Sequence, residues 1–203
     1  DPSCYGNKYH KSASIDRLAE EGMKFINAYS NAANCAPSRA CLLTGRYVPR
    51  HGVYTVGSAE RFDRYENLLD RDERYLIAAE NNEGFSPELP VISESLKKAG
   101  YVTALFGKVH SFFPPGNWPH MTEINQEHCL YIQQKGFDEV LVARNFNHLG
   151  SNYSTPDTVI NTGKPMNKTL TEHAVKFIDE NTECPFFLYL SYILPHEPYK
   201  AME

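Results

Sequence analysis

The stretch Pro185-Phe186-Phe187-Leu188-Tyr189-Leu190-Ser191-Tyr192-Ile193-Leu194 constrains the fold more than any other part of the chain. It is apolar almost throughout and shows no polar alternation, which suits a central strand covered on both faces. Strands of that kind belong to parallel sheets, whose crossovers place helices on both sides. Tyr101-Val102-Thr103-Ala104-Leu105-Phe106, β-branched and aromatic, reads as a second buried strand. Phe137 to Val142 reads as a shorter one. Helical patterns lie between them. Ser14 heads a short helix with Ile15, Leu18 and Ala19 on one face and Gly22 at its end. Leu89-Pro90 opens another, with Ile92, Leu96 and Ala99 at helical spacing before Gly100. Leu170, Ala174, Phe177 and Ile178 form a third apolar face. This alternation predicts an α/β fold, a largely parallel central sheet flanked by helices. Met23 to Tyr29 reads as a strand or extended segment, and 63–83 as a charged, partly helical excursion. From His110 to Gln134 the pattern is irregular, with a long loop marked by Pro114-Pro115-Gly116-Asn117.

Composition narrows the function. Hydrophobic residues are 41% and charged residues 22% of the 203, an ordinary globular balance. The net charge of −5 gives no electrostatic case for nucleic acid, and an anionic substrate would need a local basic pocket. No run of about 18 apolar residues is present, so no transmembrane helix is expected. Cys4, Cys35, Cys41, Cys129 and Cys184 show no zinc-type spacing. Asn152-Tyr153-Ser154 and Asn167-Lys168-Thr169 fit the glycosylation sequon and lend slight support to secretion.

Chemistry concentrates in three places. In Cys35-Ala36-Pro37-Ser38-Arg39-Ala40-Cys41-Leu42-Leu43-Thr44-Gly45-Arg46, Pro37 fits a first helical turn and Gly45 a helix end. Cys35 then stands at or just before a helix N-terminus, where free N–H groups and the dipole attract an anion. Arg39, one turn in, adds a fixed positive charge. Gly107-Lys108-Val109-His110 follows directly on the strand 101–106, and the carboxyl ends of strands are where α/β sheets gather ligands. Leu194-Pro195-His196-Glu197-Pro198-Tyr199 ends the last strand in the same topological position. Among the other histidines, His51 and His173 read as structural. His120 and His128 fall in the irregular loop, within conceivable reach of a substrate.

The Cys-x-Pro-Ser-Arg…Leu-Thr-Gly-Arg stretch resembles the signature of the type I sulfatases, of the alkaline-phosphatase-like superfamily. Gly-Lys-x-His at 107–110 and Pro-His-x-Pro at 195–198 resemble two further elements of that family, in the same order. Val109 stands where the family usually has Trp, and Ser111-Phe112 where it has Leu-Gly. Cys4-Tyr5-Gly6-Asn7, the segment Ile15 to Gly22 and Pro185-Phe186-Phe187-Leu188 are also similar, whereas 62–90 and 111–134 match poorly.

The resemblance implies an α/β, alkaline-phosphatase-like catalytic domain of which 1–203 is an interior part, with metal-binding aspartates before Asp1 and further ligands after residue 203. It implies hydrolysis of sulfate esters, with Cys35 oxidised by a formylglycine-generating or equivalent maturation enzyme to an aldehyde whose hydrate is the nucleophile. A divalent cation, most often calcium, would be held there, with residue 35 as formylglycine its one ligand on this chain. Arg39 and Lys108 would offset sulfate charge, His110 would take a proton from the hydrate, and His196 would protonate the leaving group. The substrate would be a sulfated small molecule or sulfated glycan. The setting implied is secreted, periplasmic or lysosomal rather than cytoplasmic. Two other readings stand beside this one: a phosphoester or phosphonate hydrolase of the same superfamily, and a non-catalytic homologue that binds sulfated glycans.

Overall fold

Five strands of the computed structural model make one sheet in the order β4-β3-β2-β1-β5. They are β1 (Val102–Gly107), β2 (Glu139–Ala143), β3 (Asn152–Ser154), β4 (Val159–Asn161) and β5 (Phe186–Ser191). The structure describes residues 2–56, 81–110, 112–113, 123–144 and 152–196. Most of the excursion read at 63–83, the Pro-Pro-Gly loop and His120 lie outside the described residues. The chain forms two units, 1–30 and 31–203, and the sheet belongs to the second.

In the first unit, α1 (Ala13–Glu21) has Ser12, not Ser14, at its N-cap position, without a side-chain cap bond. Helical geometry begins at Ala13, and the Ser12 hydroxyl is engaged with Ser3 and with Asp16. Asp16 also accepts from the Ser3 hydroxyl at 2.6 Å and the Cys4 N–H at 2.7 Å, which ties the turn Ser3–Tyr5 to the helix. The expected apolar face is not a core face: Ile15 and Leu18 are exposed, and no residue of α1 is buried. A unit of this size encloses little core. Met23 to Tyr29 forms no strand.

The second unit has the expected α/β character. β1 runs parallel to both β2 and β5, with Phe106 opposite Leu141 and Leu190. β3 and β4 extend the sheet beyond β2 as an antiparallel hairpin. β1, not β5, is the buried centre: five of its six residues are buried, whereas in β5 only Ser191 is. The longest apolar run therefore has a single strand neighbour among the described residues, and its side chains stay half-covered.

Helices cover both faces, as strand alternation requires. Phe106 and Phe186 meet Phe177 of α6 (Met166–Glu180) edge-on at 5.9 and 5.7 Å between ring centres. On the opposite face Phe187 stacks on Phe137, and Tyr189 and Ser191 reach α2 (Cys35–Thr44). In α6 the buried residues include Leu170, Ala174 and Phe177, but Ile178 is exposed. In α4 (Ile92–Lys98), Ser93 points inward with Val91 before it, while Ile92 and Ala99 face out. The Ser93 hydroxyl is drawn in by the Lys135 carbonyl at 2.6 Å.

Two elements have no clear trace in the sequence pattern. α5 (Gln126–Gln134) lies inside the stretch read as irregular. Its apolar residues give only two turns of pattern, but Asn125 caps it, accepting from the His128 N–H while its own N–H donates to His128 Nδ1. The β3–β4 hairpin has strands of three residues, too short for alternation to register. Its turn is held by the Thr155 hydroxyl, which accepts from Asp157 and Thr158 N–H groups.

Candidate active site

Cys35 is the first residue of α2, whose N-cap is Asn34. Pro37 sits in the first turn and Gly45 ends the helix at φ +65°, both as the sequence predicts. The helix is anchored beneath by Ala36, Ala40, Cys41 and Leu43, all buried. Cys41 packs against His51 at the end of α3 (Val48–His51), with Sγ and Nε2 3.3 Å apart. The Val53 N–H donates to His51 Nδ1, so the neutral ring carries its proton on Nε2 and donates it to the thiol. Burial keeps both groups uncharged, raising the Cys41 pKa and lowering that of His51. This pair is structural and fixes the helix that presents Cys35.

Gly107, the last residue of β1, has φ +114°, and a Cβ there would lie 2.0 Å from the Ser191 carbonyl oxygen. The chain leaves β1 through this close approach, and the Lys108 N–H donates to that same carbonyl at 2.8 Å. Lys108 and His110 are both buried, and a fully buried lysine is rare unless it is paired. Burial lowers the Lys108 pKa, Arg39 lowers it further, and the charge of Cys35 opposes both. His110 Nδ1 lies 3.2 Å from Cys35 Sγ. Burial, then the positive charges of Lys108, Arg39 and His196, push the His110 pKa down to about 3. Its ring is therefore neutral near pH 7 in the absence of an anion.

Arg39 reaches across to β5. Its Nη1 donates to the Tyr189 hydroxyl at 3.2 Å, to the Ser191 hydroxyl, and to the Lys108 carbonyl at 3.5 Å. His196 is half-buried in the turn after β5, where its N–H donates to the Ile193 carbonyl at 2.9 Å. Cys35 thus touches His110, and Arg39 of the same helix reaches the main chain of Lys108, two residues before that histidine.

Sequence reasoning missed the contacts of Tyr189 and Ser191 with Arg39. The signal that could have found them was Ser191 itself, a hydroxyl in an apolar run, two residues from Tyr189 and so on the same strand face. His128 is no loop residue: it is the third residue of α5, buried against Phe113 and used in the cap. His173 donates Nδ1–H to the Thr169 carbonyl one turn back and packs on Phe106, a structural role. Neither sequon has an exposed loop setting: Ser154 and Thr169 are buried, and Ser154 donates to the Ile124 carbonyl.

The cluster is cationic and suits a small oxyanion. It does not by itself suit a hard cation, which takes about six oxygen ligands. Among the described residues no three His, Cys, Asp or Glu side chains are grouped to hold a metal. Among them, too, no helix is long and apolar enough to cross a membrane.

A family model described as Sulfatase matches residues 1–203. The chain is 31% identical to human N-acetylgalactosamine-6-sulfatase over 99% of its own length and 38% of that protein's. It is 39% identical to a sulfatase of Formosa agariphila over 53% of its length and 18% of the relative's. Among solved structures, Ps i-CgsB in complex with k-i-k-neocarrahexaose superposes with a TM-score of 0.69 at 24% identity, over 99% of this chain and 43% of that one. The chain therefore spans less than half the length of each of these relatives.

Proposed function

The chain belongs to the sulfatase family, and from that premise we propose that it carries the sulfate-binding and nucleophile-bearing part of a sulfuric ester hydrolase. The observation that supports this reading best is the contact of His110 with Cys35, 75 positions apart, beside two buried or half-buried cations. As formylglycine, residue 35 would supply an aldehyde hydrate, one hydroxyl attacking sulfur and the other, once deprotonated, releasing the sulfate. Lys108 and Arg39 neutralise charge that builds on the sulfate oxygens as the ester bond breaks. The neutral ring of His110 accepts the proton of the second hydroxyl at Nδ1. His196 gives a proton to the departing alkoxide or phenoxide oxygen. The described side chains do not make a site for the family's divalent cation, calcium by resemblance, and these roles belong to the chain's own residues.

The substrate is a sulfate monoester of a small molecule or glycan. The human relative's name, N-acetylgalactosamine-6-sulfatase, favours a sulfated glycan. We assign the protein to a secreted, periplasmic or lysosomal setting, matured by an enzyme that oxidises Cys35.

The test combines two measurements on the intact protein. Mass spectrometry of the peptide holding residue 35 should show a loss of about 18 Da, the exchange of thiol and hydrogen for carbonyl oxygen; thiol oxidation would add mass. The same preparation should hydrolyse an aryl sulfate faster than the matching aryl phosphate. A faster phosphate reaction would favour the phosphoester hydrolase, and an unmodified, inert protein the binding homologue.

A further inference from the structure

Resting on that hydrolase reading, we propose that Ser191 and Tyr189 of β5 are positioning residues that aim the Arg39 guanidinium at the sulfate. Arg39 stands on a helix and Ser191 on a strand 152 positions away, and the contact joins the nucleophile's helix to the sheet. Among the described residues, every hydrogen bond Arg39 makes falls on one nitrogen, Nη1. Two hydroxyls and a carbonyl occupy that corner, and the donors on Nη2 and Nε remain for a ligand.

Ser191 does more than hold Arg39. Its carbonyl accepts the Lys108 N–H at 2.8 Å and lies where a Cβ of residue 107 would sit. One residue thus sets both cations, Arg39 through its side chain and Lys108 through its main chain. Two like charges drift apart when nothing negative lies between them. Arg39 has a long, flexible side chain, and tethering it before substrate arrives removes that reorganisation from the reaction. Tyr189 supplies the second anchor from the same strand face, two residues away. The rest of the strand needs no such groups: Phe186, Phe187, Leu188 and Leu190 are apolar.

The experiment measures kcat and KM for an aryl sulfate with the intact, matured protein. Ser191→Ala should lower kcat/KM about tenfold, and Ser191→Ala with Tyr189→Phe about a hundredfold, chiefly in kcat, in line with the effect of small misplacements at a site. In an Arg39→Lys background, which lacks the guanidinium fork, Ser191→Ala should change little further. A structural role would give the same loss in both backgrounds, and that additive result would overturn the proposal. Tyr189→Phe keeps the ring and tests the idea should Ser191→Ala fold poorly; wild-type kinetics for Tyr189→Phe and Ser191→Ala alike would also overturn it. A wild-type protein inert toward sulfate esters overturns the hydrolase reading itself, whereas active wild type matched by its variants overturns only the positioning roles.

Discussion

Cys35 and Gly107 show two ways in which one residue governs this site. Cys35 is half-buried at the first position of α2, beside His110, and lies outside the buried hydrophobic core. The proposed nucleophile role predicts that Cys35→Ala in the intact protein cuts sulfate ester hydrolysis by about 10³-fold or more. Its melting temperature should stay within a few degrees of wild type. Retention of a tenth of the activity would sink the nucleophile assignment. Gly107 acts through the backbone. At φ +114° with the Ser191 carbonyl in the way, Gly107→Ala must push β1 and β5 apart or abandon the turn that presents Lys108. A loss of about 2–4 kcal/mol in chemical denaturation is expected, from backbone strain added to the clash. A change under half a kcal/mol would show that the close approach is not required.

Among the elements, the join between α4, β1 and β2 rests on Asp138. Its carboxylate accepts from the Thr103 N–H at 2.9 Å and pairs with Lys97 at 2.6 Å, while the Asp138 N–H donates to the Thr103 hydroxyl. Burial works against its charge, but the Lys97 ammonium and the Thr103 donors outweigh that and hold the carboxyl below its usual range. A depressed folded-state value means the stabilisation is present above the unfolded-state value and fades as pH falls through the folded-state one. Asp138→Asn should therefore cost about 1 kcal/mol at pH 7, a figure discounted for the partial exposure of the carboxylate. Denaturation curves of the two proteins should converge below about pH 4. A gap that stays constant from pH 7 to pH 3 would assign the effect to shape rather than charge.

Across the second unit as a whole, Phe177 is the point where α6 meets both β1 and β5. It is 1% exposed and touches Phe106 and Phe186 edge-on. Phe177→Ala should lose about 3–5 kcal/mol, the cost of a large cavity in a packed core. Ile178, one residue on and 40% exposed, should tolerate Ala at under about 1 kcal/mol. Equal losses at the two positions would contradict the helix orientation. The pair also shows where sequence pattern reaches its limit. A four-residue apolar face is legible at 170–178, but its edge is not. Helical spacing defines a stripe of some width, and the neighbouring strands settle how much of it is covered.

What can be read from the residues alone is local. The run 101–106 had to be a strand, Pro37 and Gly45 bracket a helix with Cys35 at its head, and Lys108 and His110 follow a strand end. Each of these rests on side-chain periodicity or backbone preference within a few residues. The place of β1 between β2 and β5 emerges only in three dimensions, because an apolar strand carries no record of which neighbour it will pair with. So does the half-covered position of the most apolar run. The contacts that define the site, His110 to Cys35 and Arg39 to Ser191, span 75 and 152 positions. Such contacts form when parallel crossovers bring strand ends together, a consequence of topology that no local pattern contains.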